Sequence, residues 1–268
     1  YNFYTPETYN FIYNILNTKS PKLSDKRVRR ALAHLLEVKK LVEIVYGGYG
    51  TPIASPFPAD APYYKKDLKP ISYDLKKAAA LLDAAGWVDT DSDGIRDKTI
   101  DGEKMKLSLT YLNSGSLFSK NFATTFKDNA AKVGVEILSE DISFPTMLRE
   151  RLPAREFEIA GMQGAADPLA TMDPKQLWHT DSDTPAGSNR SGFGTPQTDA
   201  LIDSIRFTLD DEKRYEMMGR LQGIIYEEQP WIMLFSPTER VVIHKRFEGT
   251  PSKIKPTIHP QHLKLRKN

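Results

Sequence analysis

No cysteine occurs among the 268 residues. Disulfide staples, thiolate nucleophiles and cysteine-ligated zinc are therefore excluded together, while the redox compartment stays open, because the absence fits an oxidising or a reducing one. No charge of one sign prevails either: 37 Lys and Arg face 35 Asp and Glu, a formal net of +2. That balance lacks the electrostatic footprint that nucleic-acid binding leaves, so no nucleic-acid partner is expected. Long apolar runs are missing. The longest core-like stretch, Trp231 to Phe235, falls far short of the ~18 residues a membrane span needs. Internal repeats and low-complexity tracts are not seen. Position 1 is Tyr, with no charged-then-apolar leader after it, so a processed piece of a longer chain is expected.

What is present is globular in kind: 40% hydrophobic, 27% charged and 10% aromatic residues, far from a disordered composition. At ~150 residues per domain the length fits one large domain or two small ones. Tyr9, Phe11, Tyr13 and Ile15 alternate with Asn10, Ile12, Asn14 and Leu16, which predicts a strand buried on both faces. Asp25 is positioned to cap a helix whose Val28, Ala31, Leu32, Leu35 and Leu36 form one stripe,. A short helix from Val38 to Tyr46 stops at Gly47-Gly48, and Pro52, Pro56, Pro58, Pro62 and Pro70 then predict an extended, ordered arm,. Asp74 opens another helix, which Gly86 ends,.

Further on, Met105 to Tyr111 alternates as a strand, Phe118 to Val133 forms a helical face, and Val135 to Ser139 reads as a strand,. A helix near Phe144 to Leu152 and a strand from Phe157 to Met162 follow. This alternation argues for an α/β fold with right-handed crossovers and a largely parallel sheet covered by helices. Residues 163–197 form a long polar loop with a short helix at Lys175 to Trp178, and loops of that length are usually functional or mobile. Two more helices, strands at Trp231 to Phe235 and Arg240 to His244, and an irregular tail from Phe247 complete the chain.

Chemical motifs are few. Asp89, Asp91, Asp93 and Asp97 occupy positions 1, 3, 5 and 9 of a calcium-type loop with Gly94 at position 6,. Position 12 is Ile100 instead of the bidentate Glu, which favours a plain Asp-Gly turn over a structural calcium site. The five His, at 34, 179, 244, 259 and 262, lack the HExxH spacing of a zinc site,. No GxSxG elbow, phosphate-binding GxxxxGK[ST] or GxGxxG occurs,. Carboxylates such as Glu156, Glu158, Asp210 and Asp211 read as surface charge, since spacing alone does not bring two of them to one cleft. Trp87, Trp178 and Trp231 read as core, with Trp178 the one that lies in the polar loop,.

The segment Asn17-Thr-Lys-Ser-Pro21-Lys-Leu23-Ser-Asp25-Lys-Arg27-Val28-Arg29-Arg30-Ala31-Leu32 resembles the hallmark of the family 5 extracellular solute-binding proteins, the oligopeptide, dipeptide and nickel receptors of ABC importers. Ala78 to Trp87, Lys132 to Val135, Gly187 to Asn189, Asp199 to Ile202, Asp211 to Arg214 and Glu228 to Pro230 match in order. The resemblance covers essentially the whole chain and implies the C-terminal half of such a receptor. It implies the C-terminal lobe of a two-lobed periplasmic-binding-protein type II fold, with a mixed, mostly parallel sheet. Residues 1–8 would be a hinge-side segment, 9–237 the ligand-binding lobe, and 238–268 a tail returning to the N-terminal lobe.

By the same resemblance the protein is no enzyme and needs no cofactor. It would be a monomer, periplasmic or extracellular and lipid-anchored when intact, serving a membrane permease. A carboxylate-dependent hydrolase using the 164–183 stretch is the rival from another class. Ligands of such receptors sit in a crevice beyond strand ends, which points to Tyr111, Asn113, Ser114, Met162, Gln163, Asp167, Asn189, Ser191 and Phe193. The Asp that holds a peptide's amino group in relatives falls at Gly164, with Asp167 the nearest carboxylate, and the Arg that takes a dipeptide's carboxylate falls near Asn113. A charge clamp for a free dipeptide is thus missing, and longer peptides or neutral polar ligands are expected. A nickel chelate or an opine-like ligand is the alternative.

Overall fold

The computed structural model describes residues 1–6, 8–166, 173–251, 261 and 263–266. Its strands are β1 (Asn2–Tyr4), β2 (Asn10–Leu16), β3 (Gly50–Pro52), β4 (Asp97–Ile100), β5 (Glu103–Lys106), β6 (Ser108–Asn113), β7 (Glu136–Asp141), β8 (Ile159–Ala165), β9 (Trp231–Pro237), β10 (Val241–Ile243), β11 (Phe247–Glu248) and β12 (Lys264–Leu265); the last two pair antiparallel, so the tail expected to be irregular from Phe247 carries a short ladder. The helices are α1 (Lys26–His34), α2 (Val38–Tyr46), α3 (Leu75–Ala84), α4 (Leu117–Ala131), α5 (Phe144–Thr146), α6 (Leu152–Ala154), α7 (Lys175–Trp178), α8 (Pro196–Phe207) and α9 (Asp211–Glu228). A single widened turn, Met147–Arg151, joins α5 to α6.

A six-stranded sheet in the order β3-β9-β2-β8-β6-β7 forms the centre. The expected α/β class holds, but the sheet is not mostly parallel. β6 runs parallel to β7 and β8, whereas the β2–β8, β2–β9 and β3–β9 pairs are antiparallel. The expected strand from Met105 to Tyr111 is also two strands. Leu107 donates its amide to the Arg96 carbonyl at 2.7 Å, which separates the β4–β5 hairpin from β6.

The period-2 pattern of β2 divides the core. Phe11, Tyr13 and Ile15 join a cluster with Trp178, Ile202, Leu221 and Trp231 under α8 and α9. Ile12 and Leu16 face the opposite cluster, where Leu32, Leu82, Leu109 and Phe122 belong to α1, α3, β6 and α4. The result is three layers, helix, sheet, helix. Side chains such as Leu16, Leu32, Leu82 and Leu107 are fully buried, each contributing roughly 1.5–3 kcal/mol from lost apolar surface. The caps predicted at Asp25 and Asp74 form, their carboxylates accepting from the amides of Arg27 and Lys77. Gly86 takes φ +80° after α3, a conformation that costs glycine little.

Candidate functional site

Strand direction decides which residues share an edge of the sheet. Asn10 lies opposite Ala165, Gly50 opposite Pro237 and Asn113 opposite Asp141, so the start of β2 and β3 and the ends of β6, β7, β8 and β9 gather at one side. In open α/β sheets ligands bind beyond that kind of edge. A half-open groove of about 300 Å³ lies there. Its floor is the start of β2, Thr8 to Phe11, and the end of β9, Ser236 to Thr238, with Ala166 beside them.

The outer wall is the proline-rich arm, from Thr51 through Ile53, Phe57 and Asp60 to Tyr64. Prolines at 52, 56, 58 and 62 deny this stretch a helix or a full ladder,. Side chains pin it instead. The Gln222 amide on α9 donates to the Tyr63 carbonyl at 2.6 Å, and its oxygen accepts from Ser55 Oγ and the Lys65 amide, both at 3.2 Å. Phe57 packs against Trp178, ring centroids 5.7 Å apart. Trp178 is thus core and not a stacking platform, as its full burial requires.

Beside the groove, the segment that leads into β2 and the segment that leaves β9 are tied together. Thr8 Oγ1 donates to the Pro237 carbonyl at 2.9 Å, Ser236 Oγ to the Thr8 carbonyl at 3.1 Å, and the Glu239 amide to the Pro6 carbonyl at 3.1 Å. β1 then pairs with β10 just outside. On the floor, Tyr9 Oη donates to Asp60 Oδ2 at 2.9 Å. Burial pushes the Tyr64 phenol up, so it remains a neutral hydroxyl.

Most of the residues singled out from sequence sit away from this groove. Tyr111 is buried among Phe122 and Phe126, and desolvation raises its phenol. Asn113 is fully buried, donating to Ser139 Oγ and the Glu140 carbonyl and accepting from the Gly115 amide. Ser114 is exposed and bonds within the Ser116 and Ser119 hydroxyl cluster. Asn189 donates to the His179 and Phe193 carbonyls and accepts from Ser191 Oγ. Ser191 and Phe193 are buried with it, and the Ser191 carbonyl accepts from Thr18. These polar groups are spent on backbone. Met162 is half-buried and Gln163 exposed on β8, and Asp167 lies outside the described residues.

Gly164 lies directly beneath a ring of the groove floor. A Cβ there would stand 2.6 Å from the Phe11 ring, so no side chain fits while Phe11 forms the groove floor. Of the groove residues that sequence reasoning did not single out, Ile53, Phe57, Asp60 and Tyr64 had one usable signal, an arm richer in aromatic and branched apolar residues than a solvated loop needs, whereas Tyr9 carried only the strand pattern.

The aspartate loop folds around lysines. Asp89, Asp91 and Asp97 offer oxygens within 4.8 Å of one another, a grouping that does not include Asp93. Lys104 reaches Asp91 at 2.9 Å and Asp97 at 3.3 Å, and Lys106 pairs with Asp93. Asp97 is buried. Against the desolvation that would raise its carboxyl, hydrogen bonds from Thr90 and the Lys104 ammonium hold it below the usual range. Asp89 accepts from the Asp93 and Gly94 amides. The described carboxylates of the 164–183 stretch are likewise each committed to a different cation: Asp173 to Arg206, Asp181 to Lys175 and Asp183 to Arg155.

An α/β lobe with a half-open groove at its strand ends has the form of a ligand-binding lobe. Comparison with known proteins assigns the family: the profile of bacterial extracellular solute-binding proteins, family 5 Middle, matches residues 1–187, and the chain belongs to that family. The oligopeptide-binding protein AppA of Bacillus subtilis is 27% identical over 248 residues, covering 89% of this chain and 44% of that protein. The structure of AppA in complex with a nonapeptide superposes with a TM-score of 0.83 at 24% identity, over 99% of this chain and 52% of that one. NikA from Brucella suis, solved with Fe(III)-EDTA, gives 0.81 at 23% identity, over 99% of this chain and 53% of that one. The chain thus spans about half the length of the relatives it matches. Among the described residues no helix is long and apolar enough to cross a membrane.

Proposed function

We propose that this chain is one jaw of the substrate-binding component of an ABC importer, which captures peptide-like ligands noncovalently when a second jaw closes over the groove. The observation that carries the reading is the position of the groove, beside two adjacent segments, at Thr8 and at Ser236 to Pro237, that hydrogen bonds hold together. Tyr4 to Tyr9 and Ser236 to Arg240 would be the hinge, with residues 9–237 moving as the lobe and 238–268 returning to its partner lobe. Hinge closure of this kind is absorbed by a few loop or element-terminal residues, and these two segments offer them. The nonapeptide held by AppA supports a peptide ligand, and uncharged Gly164 and Asn113, where the family resemblance implies the two ends of a dipeptide clamp, favour peptides longer than two residues.

The protein would work without a cofactor, as a monomer outside the cytoplasmic membrane, lipid-anchored and delivering to a permease. A chelate ligand is the runner-up, drawn from NikA. It is disfavoured because no cationic side chain among the described residues lines the groove to meet an anionic chelate. Mass spectrometry of what co-purifies with the full-length gene product tests the reading: peptides of three or more residues are expected, and a metal chelate in their place would overturn it.

A further inference from the structure

We infer that the groove selects ligands with a positive charge next to an apolar side chain, and that the carboxylate of Asp60, oriented by Tyr9, is the group that meets the charge. The inference rests on the ligand-capture reading and narrows it to a substrate class.

Among the described residues of the groove wall, Asp60 is the one side chain with a full charge. It is exposed, and no Lys or Arg among the described residues forms an ion pair with it. The nearby Lys65 is committed to Asp67 at 3.1 Å, and the Arg240 guanidinium lies over the Tyr49 ring, 5.1 Å from its centroid. Most other carboxylates described above are neutralised by a neighbouring cation, so Asp60 differs from them. The hydroxyl of Tyr9 donates to Oδ2 at 2.9 Å. That fixes the carboxylate at the groove mouth and consumes one of its roughly four acceptor positions.

Around Asp60 the wall is apolar: Ile53, Phe57, Pro58 and the ring of Tyr64. Such surface takes an aliphatic or aromatic side chain, and it lowers the local dielectric so that a charge held beside it interacts more strongly than in water. When a second jaw excludes solvent, an unpaired Asp60 becomes costly, whereas a ligand ammonium or guanidinium satisfies it. A ligand carboxylate at the same place meets repulsion with no cation in this wall to offset it, which is discrimination by exclusion. The positive group has two sources, the amino terminus of a peptide or a Lys or Arg side chain.

Calorimetry on the full-length gene product separates them. Four probes share one neutral, Phe-containing pentapeptide. Three are blocked at both ends and carry Lys, Gln or Glu beside the Phe; the fourth carries Gln and a free amino terminus. The Lys probe is expected to bind about tenfold more tightly than the Gln probe, the value of one charge-assisted hydrogen bond, and the Glu probe more weakly than either. Asp60→Asn should erase that order, and Asp60→Lys should reverse it, with thermal melts checking that both variants fold. If the free-terminus probe gains affinity and loses it in Asp60→Asn, the terminus is the source; if the Lys probe alone does so, the side chain is. Equal binding of the Lys and Glu probes with no gain by the free-terminus probe, or a preference that survives Asp60→Asn, overturns the charge selection and leaves peptide capture intact. Failure of every probe to bind the wild-type protein overturns peptide capture and the charge selection with it.

Discussion

The loop Asn189 to Phe193 and the arm Ser55 to Asp60 use polar residues in opposite ways. The loop is buried, and its Asn and Ser side chains are spent on the carbonyls and amides of His179, Phe193 and one another. The arm has few internal hydrogen bonds, is positioned by prolines and by one glutamine from α9, and leaves its outer face open on the groove. Polar side chains fully paired with backbone hold a shape, whereas an unpaired carboxylate on an apolar wall is free to bind. The loop is thus built as scaffold, and the arm as the wall of the candidate site.

Truncating Asn189 is the harshest way to break this contrast. Asn189→Ala strands the carbonyls of His179 and Phe193 and the hydroxyl of Ser191 inside the fold. It should cost about 3 kcal/mol, from several buried polar groups left without partners. Urea denaturation should show a lower midpoint with the slope unchanged, while peptide affinity of the folded protein stays within about twofold, a shift of less than about 0.5 kcal/mol. Lost affinity at intact stability would transfer Asn189 from scaffold to site.

Gln222 gives the converse test, because one side chain on α9 holds the arm at Ser55, Tyr63 and Lys65. Gln222→Leu should cost about 2 kcal/mol and, unlike the loop variant, should weaken peptide binding in calorimetry as the wall loosens. Unchanged affinity would mean that the prolines and the Phe57–Trp178 packing suffice to set the wall.

The same contrast explains what was legible beforehand. Helices α1 and α3 could be drawn from sequence because their caps, apolar stripes and terminal residues are local signals. Strand direction carries no local signal, so the antiparallel pairing of β2 with β8 and β9 was missed while the α/β alternation was caught. The pairing of Asn189 with the His179 and Phe193 carbonyls could not be foreseen, because a polar loop reads the same whether its side chains face solvent or backbone,. Lys104 and Lys106 enter the aspartate loop from a hairpin 13 residues on, a distance that a loop motif does not cover. The groove itself is assembled from Thr8 to Phe11, the arm and Ser236 to Thr238, three segments that only tertiary folding brings together.

A second asparagine sharpens the argument with a smaller effect of opposite sign. Asn14 is 1% exposed, as Asn189 is, yet neither its amide nitrogen nor its oxygen has a partner among the described residues. Alternation along β2 turns it to the same face as Ile12 and Leu16, opposite Gly161. The Tyr111 hydroxyl crosses that glycine, 2.7 Å from where a Cβ would be. Leu is close to Asn in shape but has no group to desolvate, so Asn14→Leu should raise stability by about 1 kcal/mol, the reverse of the change at Asn189. Affinity should not move, because residue 14 lies away from the groove wall. A fall in stability would instead mean that a buried water bridges Asn14 to the Tyr111 hydroxyl, making this amide as much a part of the scaffold as that of Asn189.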